Sequence, residues 1–157
     1  MDPFLRALND MLTTTYRSVC KVEELMLRKL SDNDLSLSEM HMLEAIGKRR
    51  EEGMTITEIA QDLEITPPSV TAMIKRLEKK GYITKDRSSI DGRRVHVLLT
   101  KQGSRAEIAH RYFHRKMVYA ISEDLDAQER DVILRGLYKI NAFMRLQVET
   151  YAAGKEE

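Results

Sequence analysis

The sequence predicts a mainly α chain of six helices interrupted by one small β-hairpin, and three observations predict it. Apolar residues recur at spacings of three, four or seven along most of the 157 residues. Five of the runs follow a side chain suited to capping a helix: Ser36, Thr55, Thr66, Thr100 and Asp126. One β-rich run, Val95-His96-Val97-Leu98-Leu99, comes after a turn-forming stretch at Ser88–Gly92. With 42% hydrophobic and 32% charged residues, the chain has globular composition and the length for one domain with its own core.

Leu5, Leu8, Leu12, Val19, Val22 and Met26 make the first thirty residues one long amphipathic helix, broken by Ser31-Asp32-Asn33-Asp34. Ser36 with Glu39 forms a capping box, so a second helix runs to about Gly47, ahead of a charged loop, Lys48–Gly53. Thr55 and Glu58 repeat that pattern and open a short third helix burying Ile59, Ala60 and Leu63, which ends in a tight turn at Glu64-Ile65. Thr66 caps the fourth helix, Pro67 suits its first position, and Gly81 stops it. Val70, Met73, Ile74 and Leu77 face inward, leaving Pro68, Ser69, Thr71, Ala72, Lys75, Arg76 and Lys79 outward. Tyr82-Ile83-Thr84 and Val95–Leu99 read as the two strands of the hairpin. Thr100 caps a fifth helix to about Ile121, and Asp126 with Glu129 starts a sixth to about Tyr151.

The formal net charge of +1 conceals an asymmetry: residues 66–105 carry ten basic side chains against three acidic ones. A basic segment on an acidic body attracts phosphate locally without making the whole molecule adhesive. Two short helices joined by a tight turn, the second presenting small and basic residues, match what a DNA major groove accepts. The recognition helix spans about Thr66–Lys80, with Ser69, Thr71 and Ala72 small enough for close approach and Lys75 and Arg76 long enough to reach guanine or phosphate. Lys79 and Lys80 are expected on the DNA backbone. In the wing, about Lys85–Thr100, Asp91-Gly92-Arg93-Arg94 places a guanidinium on a turn narrow enough for a minor groove, with Asp91 orienting it and Arg87 taking a phosphate. The fold class is therefore a winged helix-turn-helix.

The chain resembles the MarR family, the multiple-antibiotic-resistance regulators, along nearly its whole length. The residues that carry the resemblance are Thr57-Glu58-Ile59-Ala60, Val70 through Leu77-Glu78-Lys79-Lys80-Gly81-Tyr82-Ile83, Asp91-Gly92-Arg93-Arg94 and Leu99-Thr100-Lys101-Gln102-Gly103. The resemblance implies an effector-modulated repressor of transcription, an intertwined homodimer joined through residues 1–34 and 101–152. Residues 35–100 of each subunit would form the DNA-binding head, and the pair would address a pseudo-palindromic operator. Amphipathic helices at both chain ends independently suggest subunit pairing, with closure of an intrachain core as the alternative.

For an effector, His110 and His114 stand at i and i+4 of the fifth helix, and with His41 and Glu24, or its neighbour Glu23, they offer nitrogen and oxygen ligands suited to zinc. These positions resemble the zinc-responsive branch of the family. Ser38-Glu39-Met40-His41, Arg111 through Val118 and Arg93-Arg94-Val95-His96 resemble instead its fatty-acid-synthesis repressors, which respond to acylated carrier protein. Met11, Met26, Met40, Phe113 and Met117 could line an apolar pocket for a lipid or a small phenolic ligand, or simply be core. Cys20 is expected to be a buried structural thiol. The start, Met1–Leu12, lacks a secretory signal, no apolar stretch suits a bilayer, and a single cysteine fits a reducing compartment, so a cytoplasmic location and no membrane contact are expected. No Gly-rich phosphate loop, nucleophile elbow or H-E-x-x-H is present, and an enzyme is not expected. The alternatives from other classes are a winged-helix module binding an acidic protein and a metal-dependent enzyme.

Overall fold

The computed structural model describes residues 2–31, 35–86, 95–152 and 154. Its elements are α1 (Pro3–Ser31), α2 (Leu37–Gly47), α3 (Ile56–Leu63), α4 (Pro67–Lys79), β1 (Ile83–Asp86), β2 (His96–Leu99), α5 (Lys101–Ser122) and α6 (Ala127–Ala152). They fall into two compact units, Met1–Phe113 and His114–Glu157.

In the first unit, α2 is the central helix because its sequence is apolar around most of its circumference, and Met40, Met42, Leu43, Ala45 and Ile46 are all buried. Ile59 of α3, Val70, Ile74 and Leu77 of α4 and Val97 of β2 complete the core around it. Each such aliphatic side chain contributes about 1.5–3 kcal/mol by leaving water. Both capping boxes form: Glu39 N–H donates to Ser36 Oγ (3.3 Å) while Ser36 N–H donates to Glu39 Oε2 (2.9 Å), and Thr55 with Glu58 does the same at 3.3 and 2.8 Å. Ser69 N–H donates to Thr66 Oγ1 at 3.4 Å, so α4 starts where its cap requires.

Helices α3 and α4 end alike. After α4, Gly81 turns left-handed (φ 79°) and Tyr82 N–H donates back to Leu77 O at 3.0 Å; after α3, Glu64 takes the same turn (φ 54°) and Ile65 N–H donates to Ala60 O at 3.0 Å. Ile65 and Tyr82 then pack on the core, which locks both turns. The turn between α3 and α4 is therefore held by an apolar anchor although its left-handed residue is not glycine.

The hairpin pairs β1 and β2 antiparallel, Ile83 opposite Leu99 and Asp86 opposite His96. The sequence places the first strand at Tyr82–Thr84; in the structure Tyr82 precedes it, its carbonyl accepting Thr100 N–H at 3.0 Å. A further bridge, Met54 to Val97, ties the Lys48–Gly53 loop to the sheet. Gly53 is required there, since its φ is +70° and a Cβ would lie 2.7 Å from Val97 O.

In the second unit, Asp126 Oδ1 accepts the N–H groups of Gln128 and Glu129 at 2.8 and 2.9 Å and starts α6. None of the residues of α6 is buried in the protomer. Among the described residues, no helix is long and apolar enough to cross a membrane.

Candidate nucleic-acid interface

The outward face of α4 is built as the sequence predicts. Pro68, Ser69, Ala72, Lys75, Arg76 and Lys79 are exposed, while Val70, Ile74 and Leu77 anchor the opposite face in the core. Two hydroxyls on this face are already engaged. Ser69 Oγ lies 2.9 Å from Thr66 Oγ1, and the half-buried Thr71 donates its hydroxyl to Pro67 O at 3.0 Å. The N-terminal turn of α4 therefore presents a small, stiff surface followed by longer cations one and two turns later.

Lys80 does not join them. Its ammonium is drawn back onto Glu39 of α2, 3.0 and 2.9 Å from the two carboxylate oxygens. Arg76 Nε also lies 3.6 Å from Glu39 Oε1, although the arginine side chain is 58% exposed. Burial pushes the Glu39 carboxyl up, but the Ser36 N–H, the Lys80 ammonium and the Ser36 hydroxyl outweigh it and hold the group below the ordinary carboxylate range. Lys85, at the base of the hairpin, bonds Glu78 of α4 at 2.5 Å and so fastens β1 to the recognition helix. Arg87, Asp91, Arg93 and Arg94 lie outside the described residues.

A second cluster lies where α1, α2 and α5 meet within the first unit. His110 is fully buried; its Nδ1 is 2.6 Å from Glu44 Oε1, its Nε2 is 3.7 Å from Glu23 Oε1, and its ring meets that of His41 edge-on at 6.1 Å. Glu23, His41 and His110 each bring one donor atom within 4.8 Å of the others. Glu23, and not Glu24, is the carboxylate that α1 turns inward; Glu24 is exposed beside Lys21 at 3.8 Å. His114 follows one turn later in α5, half-buried, and belongs to the second unit. The sequence reading missed Glu44, although it stands three residues after His41 on the same helix. It also missed Glu107, a buried carboxylate paired with Arg50 and, at 3.4 Å, with Arg111 Nε.

The residues expected to line an apolar pocket differ in burial. Met40 is fully buried in the core while Met11 is 63% exposed, and Met26, Phe113 and Met117 are half-buried, Met117 in the second unit. Cys20 is half-buried, and the Tyr16 phenol one turn earlier is pushed up by its hydrogen bond with the thiol.

A three-helix head with a capped, outward-facing α4 and an antiparallel hairpin behind it defines a winged helix-turn-helix protein. The MarR family model matches residues 35–95, which takes in α2, α3, α4 and β1 of that head and stops just before β2. FabT of Streptococcus pneumoniae, solved in complex with DNA, is 34% identical, superposes with a TM-score of 0.79, and is matched over 90% of this chain and 97% of its own. The S. aureus MepR–DNA complex shares the fold with a TM-score of 0.64 at 22% identity, over 84% of this chain and 95% of that one. YhjH of Bacillus subtilis, an uncharacterized HTH-type transcriptional regulator, is 25% identical over 83% of this chain and 74% of its own length. The chain belongs to the MarR family.

Proposed function

We propose that this chain is a transcription regulator, a repressor, that reads double-stranded DNA in the cytoplasm as a homodimer. The observation that carries the reading is the exposed face of α4, small at its N-terminal turn and cationic beyond it, backed by a cap and a packed core. The similarity to chains solved on DNA supports it. For the dimer, the support is that Phe4, Leu8 and Tyr16 of α1, Tyr119 of α5, and Leu137, Phe143 and Tyr151 of α6 are all exposed in the protomer. Apolar surface on that scale marks an interface.

Selection of duplexes from a random library, followed by footprinting, tests the reading. The expected result is a pseudo-palindromic site whose half-sites lie roughly 34–36 Å apart. Affinity is expected to fall by at least about tenfold between low and moderate salt. A chain that enriches no sequence, or that sediments as a monomer at the concentrations used, would not be this kind of regulator.

A divalent cation, zinc by its donor set, is the effector that the buried cluster favours over an apolar ligand. Glu44 accepting from His110 Nδ1–H would fix the tautomer whose Nε2 faces Glu23 and His41, the arrangement in which a carboxylate outside the ligand set orients an imidazole. Glu23, His41 and His110 would hold the ion, which would supply positive charge between otherwise crowded acidic groups. Operator binding measured with zinc, with a chelator, and with acylated carrier protein separates the readings. A shift with zinc that vanishes in His110→Ala supports the cation, and a shift only with the acylated protein replaces it.

A further inference from the structure

Glu39 receives more donors than a helix cap needs. Its carboxylate accepts Ser36 N–H at 2.9 Å, as a capping box requires, and Ser36 Oγ–H at 3.1 Å in addition. It also accepts Lys80 Nζ at 3.0 and 2.9 Å and has Arg76 Nε at 3.6 Å, one from the C-cap and the other from the last turn of α4, some forty residues away along the chain. The equivalent box at α3 shows the difference: the Glu58 side chain is a third exposed and pairs with the exposed Arg49, whereas the Glu39 side chain is almost wholly buried. A carboxylate taken that far from water demands a cation close by, and Lys80 meets the demand. That leaves Arg76 in a specific position. At 3.6 Å the contact is an ion pair and not a hydrogen bond, so Glu39 biases where the Arg76 guanidinium lies while its N–H donors can still meet a second acceptor.

We propose that Glu39 is a positioning residue for DNA reading, holding the Arg76 guanidinium so that its outer N–H groups meet an oxygen of the duplex, either a guanine edge or a phosphate. The proposal rests on the DNA-binding reading above. Lys80 pairs with Glu39 and fixes the end of α4 against α2, which keeps Arg76 Nε 3.6 Å from the same carboxylate. Arg76 reaches DNA from a preset rotamer, and less freedom is lost on binding than for an untethered side chain.

The test is a double-mutant cycle on the selected operator, with Glu39→Gln, Arg76→Ala and the pair. Glutamine keeps an acceptor for Ser36 and removes the charge that holds Arg76. Each single change is expected to weaken operator binding about tenfold, and the pair no more than Arg76→Ala alone. A salt slope reduced by about one per contact identifies a phosphate, and lost discrimination at one base pair identifies guanine; either supports the proposal. Effects that multiply, an unchanged affinity in Glu39→Gln, or tighter binding by it would overturn it. Should Glu39→Gln fail to fold, Arg76→Lys serves, because its single ammonium cannot contact Glu39 and the duplex in one fixed fork. It is expected to bind like Arg76→Ala, and wild-type affinity would refute the positioning role. A wild-type protein that selects no operator refutes the DNA-binding reading itself, a result visible before any variant is made.

Discussion

Gly103 stands at the third position of α5 with its backbone pressed against the turn that follows the recognition helix. A Cβ added there would lie 2.0 Å from Tyr82 O, 3.1 Å from Tyr82 C and 3.4 Å from Leu99 Cδ2. Ordinary contact lies at 3.4–4 Å, so the two backbones would have to part by well over 1 Å. Neither can move alone. Tyr82 O accepts Thr100 N–H at 3.0 Å, and Thr100 Oγ1 both donates to Gly81 O at 2.7 Å and accepts Gly103 N–H at 3.1 Å. Overpacking of this kind costs about 1–3 kcal/mol, and one lost hydrogen bond adds about 1 kcal/mol. Alanine's better helix propensity returns at most about 1 kcal/mol, leaving a net loss of about 2 kcal/mol for Gly103→Ala. Urea denaturation at one fixed protein concentration measures it; with a slope of about 2 kcal/mol per molar, the midpoint should fall by about 1 M. Gly136→Ala in α6, where a Cβ would meet nothing within 4 Å in the protomer, is the control and should gain about 0.5–1 kcal/mol. A Gly103→Ala midpoint at or above wild type would refute the reasoning.

Thr66→Ala removes the α4 cap and should cost about 1 kcal/mol by thermal unfolding, with Thr66→Ser close to wild type. Glu64→Gly relieves a left-handed turn at φ 54° and should stabilise by on the order of 1 kcal/mol; a lower melting temperature would mean that Ile65 packing, and not backbone freedom, decides this turn. The Glu58 carboxyl is held below its ordinary value of 4.5, first by Thr55 N–H and then by the Thr55 hydroxyl. A lowered folded value means that its contribution is complete above the unfolded value and disappears as pH falls through the folded one. Wild type should therefore lose more stability than Glu58→Gln on acidification below about pH 4.5, and parallel curves would contradict that sign.

The helix starts were legible because capping is chemistry within three or four residues: Ser36 with Glu39, Thr55 with Glu58 and Asp126 with Glu129 all form the bonds their spacing suggests. The Met54 to Val97 bridge was not, since a lone methionine shows no alternation and its partner is far along the chain. Helical phase explains the misplaced carboxylate. Of the stripe Leu5, Leu8, Leu12, Val19, Val22 and Met26, the first three and Val22 are exposed and Val19 and Met26 half-buried, whereas Glu23 and Leu27 are the buried positions of α1. One residue is about a hundred degrees of rotation, enough to exchange Glu24 for Glu23. The same rotation leaves the apolar stripe available to a second subunit, which is why a helix with two usable faces could not be oriented from its own sequence.

Charge along the sequence likewise overstates charge available to DNA. The basic segment includes Lys85, but its ammonium is bonded to Glu78, while Lys75 and Lys79 stand exposed on α4. Only a cation that replaces counterions on the duplex contributes to the salt dependence of binding, with a slope of about 0.9 per phosphate contact. Lys75→Ala should then lower the slope of a dimer by about two, whereas Lys85→Ala should leave it near the wild-type value even if affinity changes through the loosened hairpin. The two variants are compared by operator titrations across a salt series. Equal losses of slope would mean that Lys85 abandons Glu78 when the duplex arrives, and that the wing meets DNA in a different position from the one it holds in the protomer.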